Sequence, residues 1–334
     1  MAVARAVSDG AATLFDHVRA AGDLGILLTQ IAVAGKTIAR ELGRAVLIGQ
    51  LGTTGETNVQ GEKVKKLDLW ANEVLVDALT DSGRVCTLVS EELAEPVHLE
   101  HRCADGSWVV CFDPVDGSSN LDVNGIVGTI FSIRRRSREA RHAMVDAVAP
   151  GTVQVAAGYV MYGPATVLVL TLGDGVDAFT LDQTIGEFLR SHARIRIPAR
   201  GRIYSVNEGN ATKWDPAVRR YIDYLRASDG ATDRPYSARY VGSLVADFHR
   251  TLLEGGIFLY PADTTAGGKP SGKLRLQYEG APMAFVVEQA GGRASTGRDR
   301  IMDVRPSAAH QRVPLVIGSP EDVALAEDFM AGRR

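Results

Sequence analysis

The run of apolar segments along the chain predicts an α/β protein in two halves, on three observations. Two continuous apolar stretches, residues 85–89 and 108–112, read as buried strands, and each is followed by paired carboxylates. Alternating segments at 127–133, 155–162, 167–172 and 176–181 read as an antiparallel meander, with Gly173-Asp174-Gly175 as one turn. The pattern changes around 190–205, where a second half begins.

The elements follow in order. Residues 13–42 read as helical, with Leu27, Ile31, Ala34 and Ile38 on one stripe. A Gly-rich loop runs from Gly49 to Gly61. The next helix buries Val64, Leu67, Ala71, Val74, Leu75 and Ala78, and Asp68 borders that stripe. A charged, Ala-rich loop at 137–151 interrupts the meander. In the second half, Asp215 and Pro216 are N-cap and first residue of a helix whose inner face is Val218, Tyr221, Ile222 and Leu225. Another helix runs to Glu254 and stops at Gly255. Residues 256–260 form a buried strand, 281–290 a helix closed by Gly291, and Ser319-Pro320 caps the last helix.

A chain of 334 residues is ample for a core. Net charge −3 provides no polycation, and Arg134-Arg135-Arg136 is short, so nucleic acid is not an expected partner. No apolar stretch reaches the ~20 residues of a membrane span. The N-terminus lacks a charged start before an apolar core, so a cytoplasmic protein is expected. Of three cysteines, Cys86 and Cys111 lie inside apolar strands and read as core thiols in a reducing compartment. Cys103, in a polar loop, reads as an exposed thiol.

The chemistry concentrates in Asp113-Pro114-Val115-Asp116-Gly117-Ser118-Ser119-Asn120. Pro114 keeps Asp113 out of the helical region and fixes its own φ. Both carboxylates and the Val115 carbonyl can then face one point, and three hard oxygens suit Mg²⁺ or Mn²⁺. Gly117 admits close approach, and the Gly117 and Ser118 amides can donate to a phosphate oxyanion. A bare Asp-Gly turn would merely end a strand; the whole string after an apolar strand says more. Glu91 and Glu92 repel each other unless a cation lies between them or one is protonated. One can face a metal while the other takes a proton from water. At the edge of its helix, Asp68 is a candidate base.

Several strings resemble class I fructose-1,6-bisphosphatases, within the sugar phosphatase and inositol phosphatase superfamily. They include Thr57-Asn58-Val59-Gln60-Gly61, Ser90-Glu91-Glu92, the run from Phe112 to Asn120, Asn207-Glu208-Gly209, Ala238-Arg239-Tyr240-Val241-Gly242-Ser243, and Gly272-Lys273-Leu274-Arg275-Leu276. The resemblance implies an α/β layered sandwich of two αβ domains (αβαβα) with mixed sheets, the sugar phosphatase fold. Residues 1–195 would form the metal- and phosphate-binding domain and 196–334 the sugar-bisphosphate domain. It implies Mg²⁺-dependent hydrolysis of the 1-phosphate of fructose 1,6-bisphosphate, in gluconeogenesis or carbon fixation (the Calvin cycle), by a homotetramer. Two or three Mg²⁺ per subunit, with Mn²⁺ an alternative, would be held by Glu62, Glu91, Asp113, the Val115 carbonyl, Asp116 and Glu279. Asp68 and Glu92 would activate water. Asp116, Gly117, Ser118, Ser119, Asn207, Arg239, Tyr240, Tyr260, Lys273 and Arg275 would bind substrate, with Lys273 and Arg275 at the sugar and distal phosphate and Arg239 reaching a neighbouring subunit.

Departures from the family pattern fall away from catalysis. Where regulated relatives carry a lysine-tyrosine pair for AMP, this chain has Ser107 and Trp108. The stretch Gly22-Asp23-Leu24-Gly25 lacks a hydroxyl, although Trp108 can stack on adenine and Arg135 matches. Weak or absent AMP inhibition is therefore expected. Asn210 replaces a tyrosine near the distal phosphate, and Leu244 a methionine. The loop at 137–151 has no cysteine, so the thiol control of plastid relatives is not expected. Alternatives are a sedoheptulose-1,7-bisphosphatase, an inositol monophosphatase (disfavoured by Arg239 and Lys273), and a non-catalytic sugar-phosphate-binding regulator (disfavoured by the intact carboxylates).

Overall fold

The computed structural model describes residues 12–57, 63–99, 103, 108–136, 143–265 and 272–334. Helix α1 (Leu14–Val18) opens with a capping box between Thr13 and Asp16. Helix α2 (Asp23–Leu42) follows a 3₁₀ turn and Gly22 at φ +60°. The single helix expected over 13–42 is thus broken where a left-handed residue is needed. Gly25 is required too: a Cβ there would lie 2.3 Å from the Val18 carbonyl oxygen. A hairpin, β1 (Thr53–Thr57) with β2 (Lys63–Lys65), leads into α3 (Lys66–Asp81). Val64 therefore belongs to a strand, not to the helix, which buries Leu67, Ala71, Leu75 and Leu79 together with Asp68 and Asn72.

The large sheet comprises β3 (Val85–Ser90), β4 (Val97–His98), β5 (Trp108–Asp116) and β6 (Val127–Arg135), then, after short helix α4 (Ala143–Ala147), β7 (Gln154–Tyr162), β8 (Thr166–Thr171), β9 (Asp177–Asp182) and β10 (Glu187–His192). Among the described residues its order is β10-β9-β8-β7-β6-β5-β3-β4. Only the β3–β5 pairing is parallel. The meander from β6 to β9 stands where alternation predicted it.

The second half adds β11 (Ile203–Ser205), α5 (Pro216–Arg226), β12 (Ser237–Ala238), α6 (Leu244–Glu254), β13 (Ile257–Tyr260), β14 (Leu274–Arg275), α7 (Ala281–Gln289), β15 (Arg293–Ser295), β16 (Arg312–Val313), β17 (Leu315–Gly318) and α8 (Pro320–Met330). Its main sheet runs β12-β11-β13-β17-β15. Period-two alternation sends neighbouring residues to opposite layers. Phe131 and Val160 pack with Leu27, Ile31 and Leu75 of α2 and α3. Ile130 and Tyr159 pack with Phe248 of α6 and Val286 of α7, and with Phe258 and Ile317 of the second sheet. Ile257 and Val316 face Tyr221 of α5 and Phe329 of α8. The result is a five-layer αβαβα sandwich. Truncating fully buried Phe131 or Phe258 to Ala would cost about 3–5 kcal/mol.

Two sequence expectations are corrected. Ser319 stands at the start of α8, but its hydroxyl accepts from the Gly256 amide at 2.9 Å instead of capping the helix. Cys86 and Cys103 are not separate thiols; they form a disulfide. The chain after β3 folds back beside it, with His98 opposite Thr87 and the Leu99 amide bonded to the Cys86 carbonyl at 2.8 Å. That return carries Cys103 over Cys86. Cys111 remains the buried free thiol.

Candidate active site

The site begins with a flaw in a strand. Asp113 pairs with Ile130 and Asp116 with Gly128, so Pro114 and Val115 oppose Thr129 alone. Pro114 has no N–H for the ladder, and its carbonyl instead accepts from Thr129 Oγ1 at 2.8 Å. Such a bulge re-aims side chains. Asp113 and Asp116 end with carboxylate oxygens within 4.8 Å of each other and of Glu279.

Each of the three is fixed by short bonds. Asp113 Oδ1 accepts from the Val115 amide at 3.0 Å. Asp116 accepts from Ser243 Oγ (2.6 Å) and the amides of Leu244 (3.1 Å) and Val245 (2.8 Å), which puts its charge on the positive N-terminus of α6. Gly117, at φ +76°, permits that approach, since a Cβ there would lie 2.5 Å from Ser243 Cβ. Glu279 sits in a π-helical turn, Leu276–Gly280, ahead of α7, and accepts from the Arg275 amide at 2.6 Å. Such turns are frequent at functional sites.

The parallel β3–β5 pairing brings the second acidic pair alongside. The Glu91 amide donates to the Phe112 carbonyl at 3.2 Å, next to Asp113. Asp68 and Asn72, one turn apart on α3, are both buried toward the end of β3. Ser90 Oγ donates to Asn72 Oδ1 at 2.6 Å, and Asp68 Oδ1 is buried without a hydrogen-bond partner.

The electrostatics follow from crowding acids out of water. Burial first, then the charges of Glu91, Glu279 and Asp116, push Asp113 well above the usual carboxylate range. Burial and Glu91 do the same to Glu279. Asp116 is pushed up to about 6 by burial, against its three lowering hydrogen bonds. Burial and Glu92 push Asp68 up to about 8. A buried cation at hand is Arg275, in an ion pair with Glu91 at 2.8 Å. Arg275 was expected beside Lys273 at the distal phosphate; its guanidinium lies among the carboxylates instead.

A cleft of about 710 Å³ joins this end to the residues expected to bind the sugar and distal phosphate. Asp68, Glu91, Glu92, Asp113, Val115, Asp116 and Glu279 line one part, with Gly117, Ser118 and Ser119 beside them. Asn207, Tyr240, Tyr260 and Lys273 line the other. A second cavity of about 360 Å³ continues past Tyr260 and Lys273 to Asn210, Lys213 and Arg312. Arg239 is exposed and does not line the cleft; its guanidinium donates to the Ala238 carbonyl at 2.8 Å. Glu62 lies outside the described residues, as does Ser107.

Sequence reasoning passed over two residues at the cleft. Ser243 was legible as the residue opening an apolar helix, but not as a latch on Asp116. Lys65 lines the cleft and pairs with Asp122, and no signal singled it out. At the expected AMP region, Trp108 is only 4% exposed and the Arg135 guanidinium lies over its ring at 4.5 Å. Trp108, expected as a stacking partner for adenine, is thus buried with a guanidinium against its ring.

Two family models match: "Fructose-1-6-bisphosphatase, N-terminal domain" over residues 7–193 and "Fructose-1-6-bisphosphatase, C-terminal domain" over 197–331. The chain belongs to the fructose-1,6-bisphosphatase family. It is 52% identical to a class 1 fructose-1,6-bisphosphatase of Chlorobium chlorochromatii over 94% of this chain and 93% of that one. It is 50% identical to one from Trichormus variabilis, over 93% and 87%. The crystal structure of Leishmania major fructose-1,6-bisphosphatase in holo form superposes with a TM-score of 0.89 at 42% identity, covering 96% of this chain and 99% of that one.

Proposed function

We propose that this class 1 enzyme hydrolyses the 1-phosphate of D-fructose 1,6-bisphosphate to fructose 6-phosphate and phosphate with Mg²⁺. The observation that carries this reading is the buried cluster of Asp113, Asp116 and Glu279, opening into a cleft that runs on to Lys273. Asp68, Glu91, Asp113, Asp116 and Glu279 are buried together with Arg275 as a countercharge, which fits a site made for cations. An all-oxygen donor set suits Mg²⁺, with Mn²⁺ as a substitute.

Glu91, Asp113, the Val115 carbonyl, Asp116 and Glu279 would hold two or three Mg²⁺, joined by Glu62 from the loop. Bound there, Mg²⁺ neutralises charge on the phosphoryl oxygens and the leaving alkoxide. Asp68 and Glu92 share the proton of the attacking water. The raised Asp68 carboxyl suits that role, because a general base works best with a pKa near the working pH. The amides of Gly117 and Ser118 donate to the phosphoryl group, with Ser119 beside them. Asn207, Tyr240, Tyr260 and Lys273 orient the sugar and distal phosphate, and Arg239 serves a neighbouring subunit's site. Arg275 holds Glu91 in place. In this reading residues 1–195 and 196–334 are two domains of a cytoplasmic homotetramer, serving gluconeogenesis or carbon fixation.

One observation favours a second substrate. The cavity past Asn210 leaves room for a sugar one carbon longer, such as sedoheptulose 1,7-bisphosphate. Phosphate release from fructose 1,6-bisphosphate, sedoheptulose 1,7-bisphosphate and inositol 1-phosphate, each with and without Mg²⁺, tests both readings. Mg²⁺-dependent turnover of the fructose ester is expected. Turnover of inositol phosphate alone would overturn the proposal.

A further inference from the structure

The edge of the large sheet carries a second cluster of chemistry-bearing side chains, at the opposite end of β3 from Glu91. Cys86 is five residues before Glu91, which at ~3.3 Å per residue puts it about 16 Å from the carboxylates along the strand. It is fully buried and disulfide-bonded to Cys103, while His98 and Cys103 are half-buried. The His98 imidazole packs on both sulfurs: Nδ1 is 3.7 Å from Cys86 Sγ and Nε2 is 3.6 Å from Cys103 Sγ. One ligand atom from each of the three lies within 4.8 Å of the others.

We propose that Cys86, His98 and Cys103 form a redox-gated site for a thiophilic divalent cation of the Zn²⁺ class, closed while the sulfurs are bonded and open when they are reduced. Two thiolates and an imidazole are the donors that select Zn²⁺ over Mg²⁺, so the cation would be distinct from the one the carboxylates hold. The spacing fits. Zn–S near 2.3 Å and Zn–N near 2.0 Å in a tetrahedron give an N-to-S separation of about 3.5 Å and an S-to-S separation of about 3.8 Å. His98 Nδ1, 3.7 Å from Cys86 Sγ and 3.9 Å from Cys103 Sγ, is thus already close to ligand distance from both, and only the two sulfurs must part. Thr87 Oγ1 lies 3.2 Å from His98 Nδ1 in the disulfide form, and that nitrogen would exchange this contact for the metal on reduction. The fourth position would be taken by water, since two of the three ligands reach the surface.

The gating step balances simply. A dithiol reductant is oxidised to its own disulfide, and its two electrons and two protons release Cys86 and Cys103 as thiols. The entering cation then displaces both thiol protons to solvent. In the reducing compartment proposed for this chain a disulfide would be transient, as a gated site requires.

Co²⁺ is a suitable probe, because thiolate ligation gives a charge-transfer band that carboxylates cannot produce. The intact protein, reduced, with the carboxylate site saturated by Mg²⁺, should show that band and saturate at one Co²⁺ per chain. The oxidised protein, with Cys111 as its remaining thiol after denaturation, should show none. Cys103→Ser should lose the band in both states yet keep wild-type phosphatase activity, which proves that it is folded. His98→Ala should retain a weaker band that needs more Co²⁺. A reduced protein with three titratable thiols and no band overturns the site, as does a band that survives in Cys103→Ser. Three free thiols after oxidant treatment, or an equal band in the oxidised protein, overturn the gating.

Discussion

The two ends of the cleft are built by opposite strategies. At the carboxylate end, Asp113, Asp116 and Glu279 are 3%, 6% and 3% exposed, and each is held by backbone amides. At the other end Tyr240 is 40% exposed and Lys273 is exposed, while Arg239, outside the cleft, donates to the Ala238 carbonyl. Crowded acids are costly without a cation, so the first end must be preorganised by the fold. In the proposed reading the second only has to gather neutral donors and a few cations around a flexible ligand. The difference teaches where sensitivity should lie: turnover at the rigid end, substrate affinity at the open one.

The strongest way to break this comparison is at the rigid end. Glu91→Gln and Glu279→Gln should each lower kcat by roughly 10²–10³, because the metal site loses charge that acts mainly in the transition state. A change confined to KM in steady-state assays would erase the contrast between the ends. Asp68→Asn and Glu92→Gln should each cost roughly 10²–10⁴, and the double variant little more, since both act on one water. Fully additive losses would separate their roles.

Much of the rigid end was legible because it is local. The Asp-Pro-Val-Asp string carries its own bulge, and apolar runs before both acidic pairs announce their strands. Glu279 was not legible from periodicity: it lies in a π-helical turn, and only the family resemblance drew attention to it. The role of Ser243 was not legible because its partner, Asp116, is 127 residues away. The Cys86–Cys103 pair was invisible for the same reason, since a 17-residue separation matches no local motif and depends on the return of β4 along β3. Alternation showed the meander but not the layers, which came from the family resemblance; in the structure Ile130 and Phe131 send neighbouring side chains to different cores.

Effects at the open end should be smaller and different in kind. Lys273→Met should raise KM roughly ten- to a hundredfold with kcat nearly kept, since a charge-assisted bond to phosphate contributes about 1.5–3 kcal/mol. An equal fall in kcat would make this end part of the catalytic machinery. AMP should inhibit weakly or not at all, because Ser107 supplies no charge, Gly25 no hydroxyl, and Trp108 is buried; half-inhibition at low micromolar AMP in a dose–response assay would contradict this.

An effect on stability, not on turnover or affinity, lies outside the cleft, between the sheets. The His249 imidazole bonds to the Tyr159 hydroxyl at 2.8 Å, and burial, with His192 nearby, pushes it down to about 4 from 6.5. The unfolded chain therefore binds the proton more readily. Stability is fully present above about pH 6.5 and is lost as pH falls toward 4, by up to about 3 kcal/mol. Urea unfolding of wild type and His249→Gln should show their stability difference shrinking over that window; a difference independent of pH would remove the assigned cause.

The most direct test of the central claim, that the buried carboxylates are a preformed cation site driving phosphate-ester hydrolysis, is phosphate release from fructose 1,6-bisphosphate after EDTA treatment and after Mg²⁺ is restored. The account predicts loss to background in EDTA and full recovery with Mg²⁺ in the wild type, without recovery in Glu279→Gln. A near-normal rate in EDTA would contradict it.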